Sequence, residues 1–204
     1  GRREAADNAA RALHGQTQGQ ASEARIAMLR AGLARLTQNP ERERVYLESV
    51  LTIAPEYASL VAADLLQLYR AAGRQAEGLK VLKNHYMRHP SLDMFNVVFR
   101  ELRSQEGYTP AWTFAREALR AHPSLLGLDR LLEAELASSD TPAEAGASLG
   151  SDLGLLRSLI HKHTQRLDRY ACKVCGFEAR HFYWQCPGCN SWETYEPRRL
   201  EELK

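Results

Sequence analysis

The chain has 204 residues, with 27 basic and 25 acidic side chains and a formal charge of +2. Near-neutrality without a basic stripe argues against a dedicated nucleic-acid binder. No apolar run approaches the roughly eighteen residues that cross a bilayer, and no charged-then-apolar leader opens the sequence. The hydrophobic share of 44% is that of an ordinary globular protein.

The opening stretch, GRREAADNAARALHG, is helix-like from its first residues, as expected of a chain that begins inside a structure. Three prolines then punctuate the sequence in the same context: Ala54-Pro55, His89-Pro90 and His122-Pro123, 35 and 33 residues apart. Each follows an amphipathic stretch, where proline ends one helix and allows the next to begin. The spacing is close to the 34-residue period of tetratricopeptide repeats, built from paired helices.

The second unit is the clearest. Val61, Leu65, Leu68 and Ala72 recur at helical spacing, Gly73 breaks the helix, and Leu79, Leu82 and Tyr86 line the next one. Counting back from Pro90 puts Tyr69 at a large aromatic site and Gly78 at a small one, where the two helices should approach most closely. In the third unit Phe95, Val98, Phe99 and Leu102 line the first helix, Gly107 ends it, and Ala111, Ala115 and Ala118 make the second slim. The first unit is poorer, with Glu43 where a small residue is expected. A fourth begins at Leu125, Leu128, Leu131 and Leu132.

SSDTPAEAGASLGSD then reads as a loop. A helix follows, with an expected inner face of Leu153, Leu156, Ile160, His163 and Leu167.

All four cysteines lie near the C-terminus as C-x2-C, ten residues, C-x2-C: Cys172, Cys175, Cys186 and Cys189. Two residues between cysteines let one turn aim both sulfurs at a single ion. Two facing turns complete a tetrahedron that suits zinc or iron equally. Clustered pairs speak against a disulfide framework and for a reducing compartment. Gly176 and Asn190, each directly after a second cysteine, tolerate positive φ, and Pro187 stiffens the second turn. Tyr170, Phe177, Phe182, Tyr183, Trp184, Trp192 and Tyr195 supply an apolar shell. With four cysteines available, His181 is read as a surface residue, and His161 and His163 as helix-surface or docking residues. The module is expected to close the far end of the helical stack and cover the apolar side of the last repeat.

This order of parts, with LLRSLIHKH and RYACKVCGF…YWQCPGCNSW, resembles the lipopolysaccharide assembly protein B family (LapB, also called YciM). The resemblance is periodic through the repeats and specific from about Leu155 to Trp192. It implies an all-α tetratricopeptide-repeat solenoid over residues 1–137, a loop and last helix over 138–168, a rubredoxin-like metal-binding knuckle module over 169–196, and a tail over 197–204. The family's four metal ligands fall on Cys172, Cys175, Cys186 and Cys189. A non-enzymatic adaptor is implied, acting at the cytoplasmic face of the bacterial inner membrane through an N-terminal anchor absent from this chain. Its implied protein partners are the protease FtsH, the deacetylase LpxC and a membrane sensor of the YejM/PbgA type.

Two other readings stand beside it. A four-thiolate iron site would suit electron transfer. The module also resembles the zinc module of RadA-type recombination ATPases, which would suit nucleic acid. Yet no G-x-x-x-x-G-K-[ST] loop occurs, and Lys173, Arg180, Arg198, Arg199 and Lys204 are matched by Glu178, Glu193, Glu196, Glu201 and Glu202. No nucleophile motif or open-site metal signature points to an enzyme.

Overall fold

The structure is a computed structural model that describes residues 19–136 and 146–203. The helix-like opening and the first half of the expected loop lie outside these residues. Eight α-helices are seen among the described residues: α1 Gln20–Leu36, α2 Pro40–Ile53, α3 Ala58–Ala71, α4 Gln75–Arg88, α5 Leu92–Gln105, α6 Tyr108–Ala121, α7 Leu125–Leu136 and α8 Gly146–Thr164. They form consecutive antiparallel pairs that stack on one another, as the periodicity requires.

Local chemistry fixes the joints. Asn39 accepts the Arg42 amide at 3.1 Å ahead of Pro40, and Ser91 accepts that of Met94 at 3.3 Å, so both cap the helices they precede. Gly73 and Gly107 turn the chain between paired helices at φ 71° and 91°, a region costly for side chains with a Cβ.

The expected close approach lies at Gly78. A Cβ built there would stand 2.8 Å from both Cβ and Cγ of Tyr69. One period earlier the size pattern is inverted, with Ala34 in the aromatic position and Glu43 in the small one, both buried. The Glu43 carboxylate is satisfied by Arg35 Nε at 2.6 Å, and Arg35 also reaches Asp64 at 2.7 Å. An ion pair therefore does at the first joint what glycine against tyrosine does at the second. In the third unit Leu102 and Ala111 share the volume. The expected faces are buried there, with Phe95, Phe99, Phe114 and Tyr86 forming one aromatic cluster. Ala72 is an exception: it sits exposed at the end of α3.

The last pair departs from expectation twice. Helix α8 already begins at Gly146, so GASLGSD is helical rather than loop. Its inner face is also different. Asp129 of α7 is buried at 4% exposure and draws polar partners: His161 Nδ1 at 2.9 Å, Thr164 Oγ1 at 3.4 Å and Arg157 Nε at 3.7 Å. A buried carboxylate needs such partners, so Arg157 and Thr164 turn toward α7 and the half-exposed His161 ring reaches it from the rim; of the expected face Leu153, Ile160 and Leu167 are half-buried, but Leu156 and His163 are exposed. Because leucines occur on both sides of this helix, their spacing alone could not choose between the faces.

After α8 the chain does not stop at the end of the stack but folds back along it. Trp184 stacks on Tyr57 with ring centroids 5.6 Å apart, Phe182 meets the same tyrosine edge-on, and both pack against the core of the repeats. Glu193 binds Ser22 and Arg25 of α1, and Arg25 also lies over the Trp192 ring at 4.9 Å. The expectation that the module closes the far end of the stack is therefore corrected: it reaches Tyr57 and the first described helix, and the contact with α7 is made by the residues that follow it.

The C-terminal residues form a strap across the three proline turns. Arg198 pairs with Glu56 at 2.6 Å, beside Pro55. The other two turns repeat the segment His-Pro-Ser-Leu, at residues 89–92 and 122–125. Glu202 accepts the Leu92 amide at 2.9 Å. Glu201 accepts the amides of Leu125 and Leu126 at 2.8 and 3.1 Å and the Ser124 hydroxyl at 2.6 Å. Two adjacent glutamates thus occupy the N-termini of α5 and α7, where free amides and the helix dipole favour negative charge. Arg199, mostly buried, joins Asp93 at 2.9 Å, lies 4.0 Å from the Tyr170 ring centroid and donates to the carbonyls of Asp168 and Arg180.

Two outcomes follow for thermal melting. Gly78→Val should cost about 1–3 kcal/mol through overpacking against Tyr69, whereas Gly32→Ala, with open space at its Cβ, should be neutral or slightly stabilising. Replacing Glu201 and Glu202 together by Ala removes two caps and should cost about 2 kcal/mol, a fall of about 4–8 °C at this chain length.

Candidate metal centre

The two cysteine turns are copies of each other fourteen residues apart. In the first, the Cys172 amide donates to Phe177 O at 3.1 Å and the Gly176 amide to Cys172 O at 2.9 Å. In the second, the Cys186 amide donates to Ser191 O at 2.9 Å and the Asn190 amide to Cys186 O at 2.8 Å. Both turns close through a left-handed residue, Gly176 at φ 74° and Asn190 at φ 60°, as expected from their place after the second cysteine. A Cβ at Gly188 would lie 3.2 Å from that of Phe177, so the two knuckles meet at close range.

The two-stranded pairing of β1 (Tyr170–Ala171) with β2 (Glu178–Ala179) and the bridges Cys172 to Tyr195 and Gln185 to Trp192 bring the knuckles face to face. All four sulfurs lie within 4.8 Å of one another. Cys172 and Cys189 are 3.8 Å apart, and Cys175 and Cys186 3.6 Å. A tetrahedron with metal–sulfur bonds of about 2.3 Å has edges of about 3.8 Å, whereas a disulfide would bring two sulfurs to about 2.05 Å. Four cysteines so placed can hold one metal ion. The first cysteine of each pair is buried, while Cys175 is exposed and Cys189 half-buried.

Electrostatics favour a cation here. Burial opposes ionisation of Cys172, but the Thr194 hydroxyl at 3.1 Å and the amides of Cys175 and Val174 outweigh it, bringing the thiol down to about 6. At Cys175 the Phe177 amide favours the thiolate, yet burial and the neighbouring sulfurs prevail and push it up to about 12. Hydrogen bonds from Ser191 also hold the Cys189 thiol below its ordinary range, so two sulfurs ionise readily and Cys175 resists. A divalent ion would relieve that repulsion.

The sequence marks Tyr195 only as one of the shell aromatics and gives no role to Thr194. Tyr195 is 1% exposed, and its hydroxyl donates to Phe177 O at 3.1 Å and lies 4.0 Å from the Cys186 sulfur. Their nearness to the last cysteine was a weak hint; only the strand bridge back to Cys172 shows why they matter. The shell itself divides: Tyr170 and Tyr195 are buried, Phe182 and Trp184 face the repeats, and Phe177, Tyr183 and Trp192 are exposed. His181 is exposed and outside the sulfur group, as expected. Of the two helix histidines, His161 is bound to Asp129 and His163 is exposed.

Comparison with known proteins agrees with this geometry. The family described as the rubredoxin metal binding domain matches residues 170–197, the whole knuckle module. Over 180 residues, 87% of this chain, the sequence is 23% identical to the lipopolysaccharide assembly protein B of Haemophilus influenzae. The chain is thus similar to lipopolysaccharide assembly protein B. The chain spans 44% of that relative's length. Among the described residues, no helix is long and apolar enough to cross a membrane.

Freshly purified protein should contain one metal ion per chain by elemental analysis. The double variant Cys175→Ser, Cys189→Ser should lose it and expose the C-terminal segment to protease; zero stoichiometry in the wild type would contradict the assignment.

Proposed function

We propose that this chain is the adaptor part of a non-enzymatic regulator of lipopolysaccharide biosynthesis, with Cys172, Cys175, Cys186 and Cys189 holding one structural zinc or iron ion. The observation that carries this reading is the likeness to lipopolysaccharide assembly protein B through 87% of the chain, repeats and knuckles together. Four thiolates would saturate a tetrahedral ion, leaving no position for substrate, so the ion acts on the fold. The helical pairs, read as tetratricopeptide repeats over residues 1–137, supply an extended surface for a client. The module over 169–196 and the tail over 197–204 hold the pairs in register.

In this reading the complete protein promotes degradation of LpxC by FtsH and is opposed by a YejM/PbgA-type sensor, at the cytoplasmic face of the inner membrane. Nucleic acid is disfavoured by specific contacts. Lys173 is paired with Glu196, Arg198 with Glu56 and Arg199 with Asp93, so these cations are already neutralised.

The test is LpxC turnover in cells whose own lipopolysaccharide assembly protein B is depleted. Resupply of the full-length protein containing this chain should shorten the LpxC half-life severalfold, and the Cys175→Ser, Cys189→Ser form should not. An LpxC half-life indifferent to resupply would overturn the reading.

A further inference from the structure

Helix α8 shows only part of its apolar surface to α7. Arg157, His161 and Thr164 meet Asp129 and Glu133 of α7, and Leu153 and Ile160 are half-buried beside them, while Leu155, Leu156 and Leu159 stand 60%, 51% and 49% exposed. A helix packed on a scaffold ordinarily buries its leucines and solvates its charges. Here the polar contacts to Asp129 take up part of the inner face, and three leucines lie outward.

At 100° per residue, Lys162 and His163 continue the outward face beyond the leucines, and Arg166 follows in the turn after the helix ends at Thr164. All three are exposed. Arg166 reaches Glu178 at 2.9 Å but keeps 78% of its side chain in solvent. Asp152 is the one acidic residue on this face among the described residues of the helix. The face is therefore apolar along its middle and cationic toward its end.

We propose that this outer face of α8 is a peripheral contact site for a bilayer surface carrying anionic phospholipid. The leucines would settle at the boundary of headgroups and acyl chains, and Lys162 and Arg166 would extend to the phosphates. A partner helix with acidic and apolar residues has complementary charge too. Such helices are usually seated in grooves, however, and two large clefts among the described residues, of about 560 and 430 Å³, are lined by α2 to α6, the proline turns and the C-terminal strap. Leucines on the crown of a single helix fit a plane better than a groove. Three leucines and Lys162, with Arg166 shared between the surface and Glu178, make a weak, salt-sensitive contact.

The test is co-sedimentation of the whole metal-loaded chain with vesicles of phosphatidylcholine alone and of phosphatidylcholine containing about one-third phosphatidylglycerol. Binding should be about tenfold stronger on the anionic vesicles and fall with added salt. Lys162→Glu should weaken it about fivefold or more, and Leu155→Ser with Leu159→Ser severalfold, with melting and metal content unchanged. Equal partition of the wild type onto both vesicles, no binding to either, or variants that bind as well as the wild type would each overturn the proposal. Absence of any lipid binding would leave this face to a protein partner.

Discussion

The arrangement depends on four sulfurs converging within 4.8 Å at the meeting point of two short turns. A module of under thirty residues has too little core to hold itself, and its aromatics are divided between its own interior and the scaffold. With a cation bound, of order 10 kcal/mol is available to fix the two knuckles. The contacts with the scaffold follow from that: Trp184 stacks on Tyr57, Glu193 reaches α1, and the strap is delivered to the proline turns.

The strap shows how a repeat protein can be held in register from outside its core. Each repeat of a stack touches mainly its neighbours, so small errors in orientation accumulate along it. Here residues 198–202 touch three successive turns at once. The chemistry changes with the turn: arginine where the repeat offers Glu56, glutamate where it offers the free amides of Leu92 and Leu125. Burial raises the Glu202 carboxyl above the usual carboxylate range, against the pull of the Arg199 and Leu92 amides. That opposition marks a charge taken from water to satisfy a helix end.

Much of this was legible in the sequence because it is periodic or conformationally demanding. The proline spacing gave the helical pairs, and the position count from Pro90 found the contact of Gly78 with Tyr69 that the coordinates show. Gly176 and Asn190 declared left-handed backbone, and the cysteine spacing foretold a single cluster. The strap was not legible. Arg198, Glu201 and Glu202 look like any charged tail until their partners, 75 to 142 residues away, are known. The inner face of α8 failed for another reason. Leucine spacing is a good guide where burial of apolar surface decides, but Asp129 set a polar requirement on α7 that no pattern within α8 records.

Linkage between ion and scaffold is most directly tested by hydrogen exchange of the backbone amides of Leu92, Leu125 and Leu126, with the metal bound and after its removal by a chelator. Withdrawal of the ion should release the strap and speed exchange at all three amides, far from the cysteines. Unchanged protection at those amides, in protein shown to have lost its metal, would contradict the account.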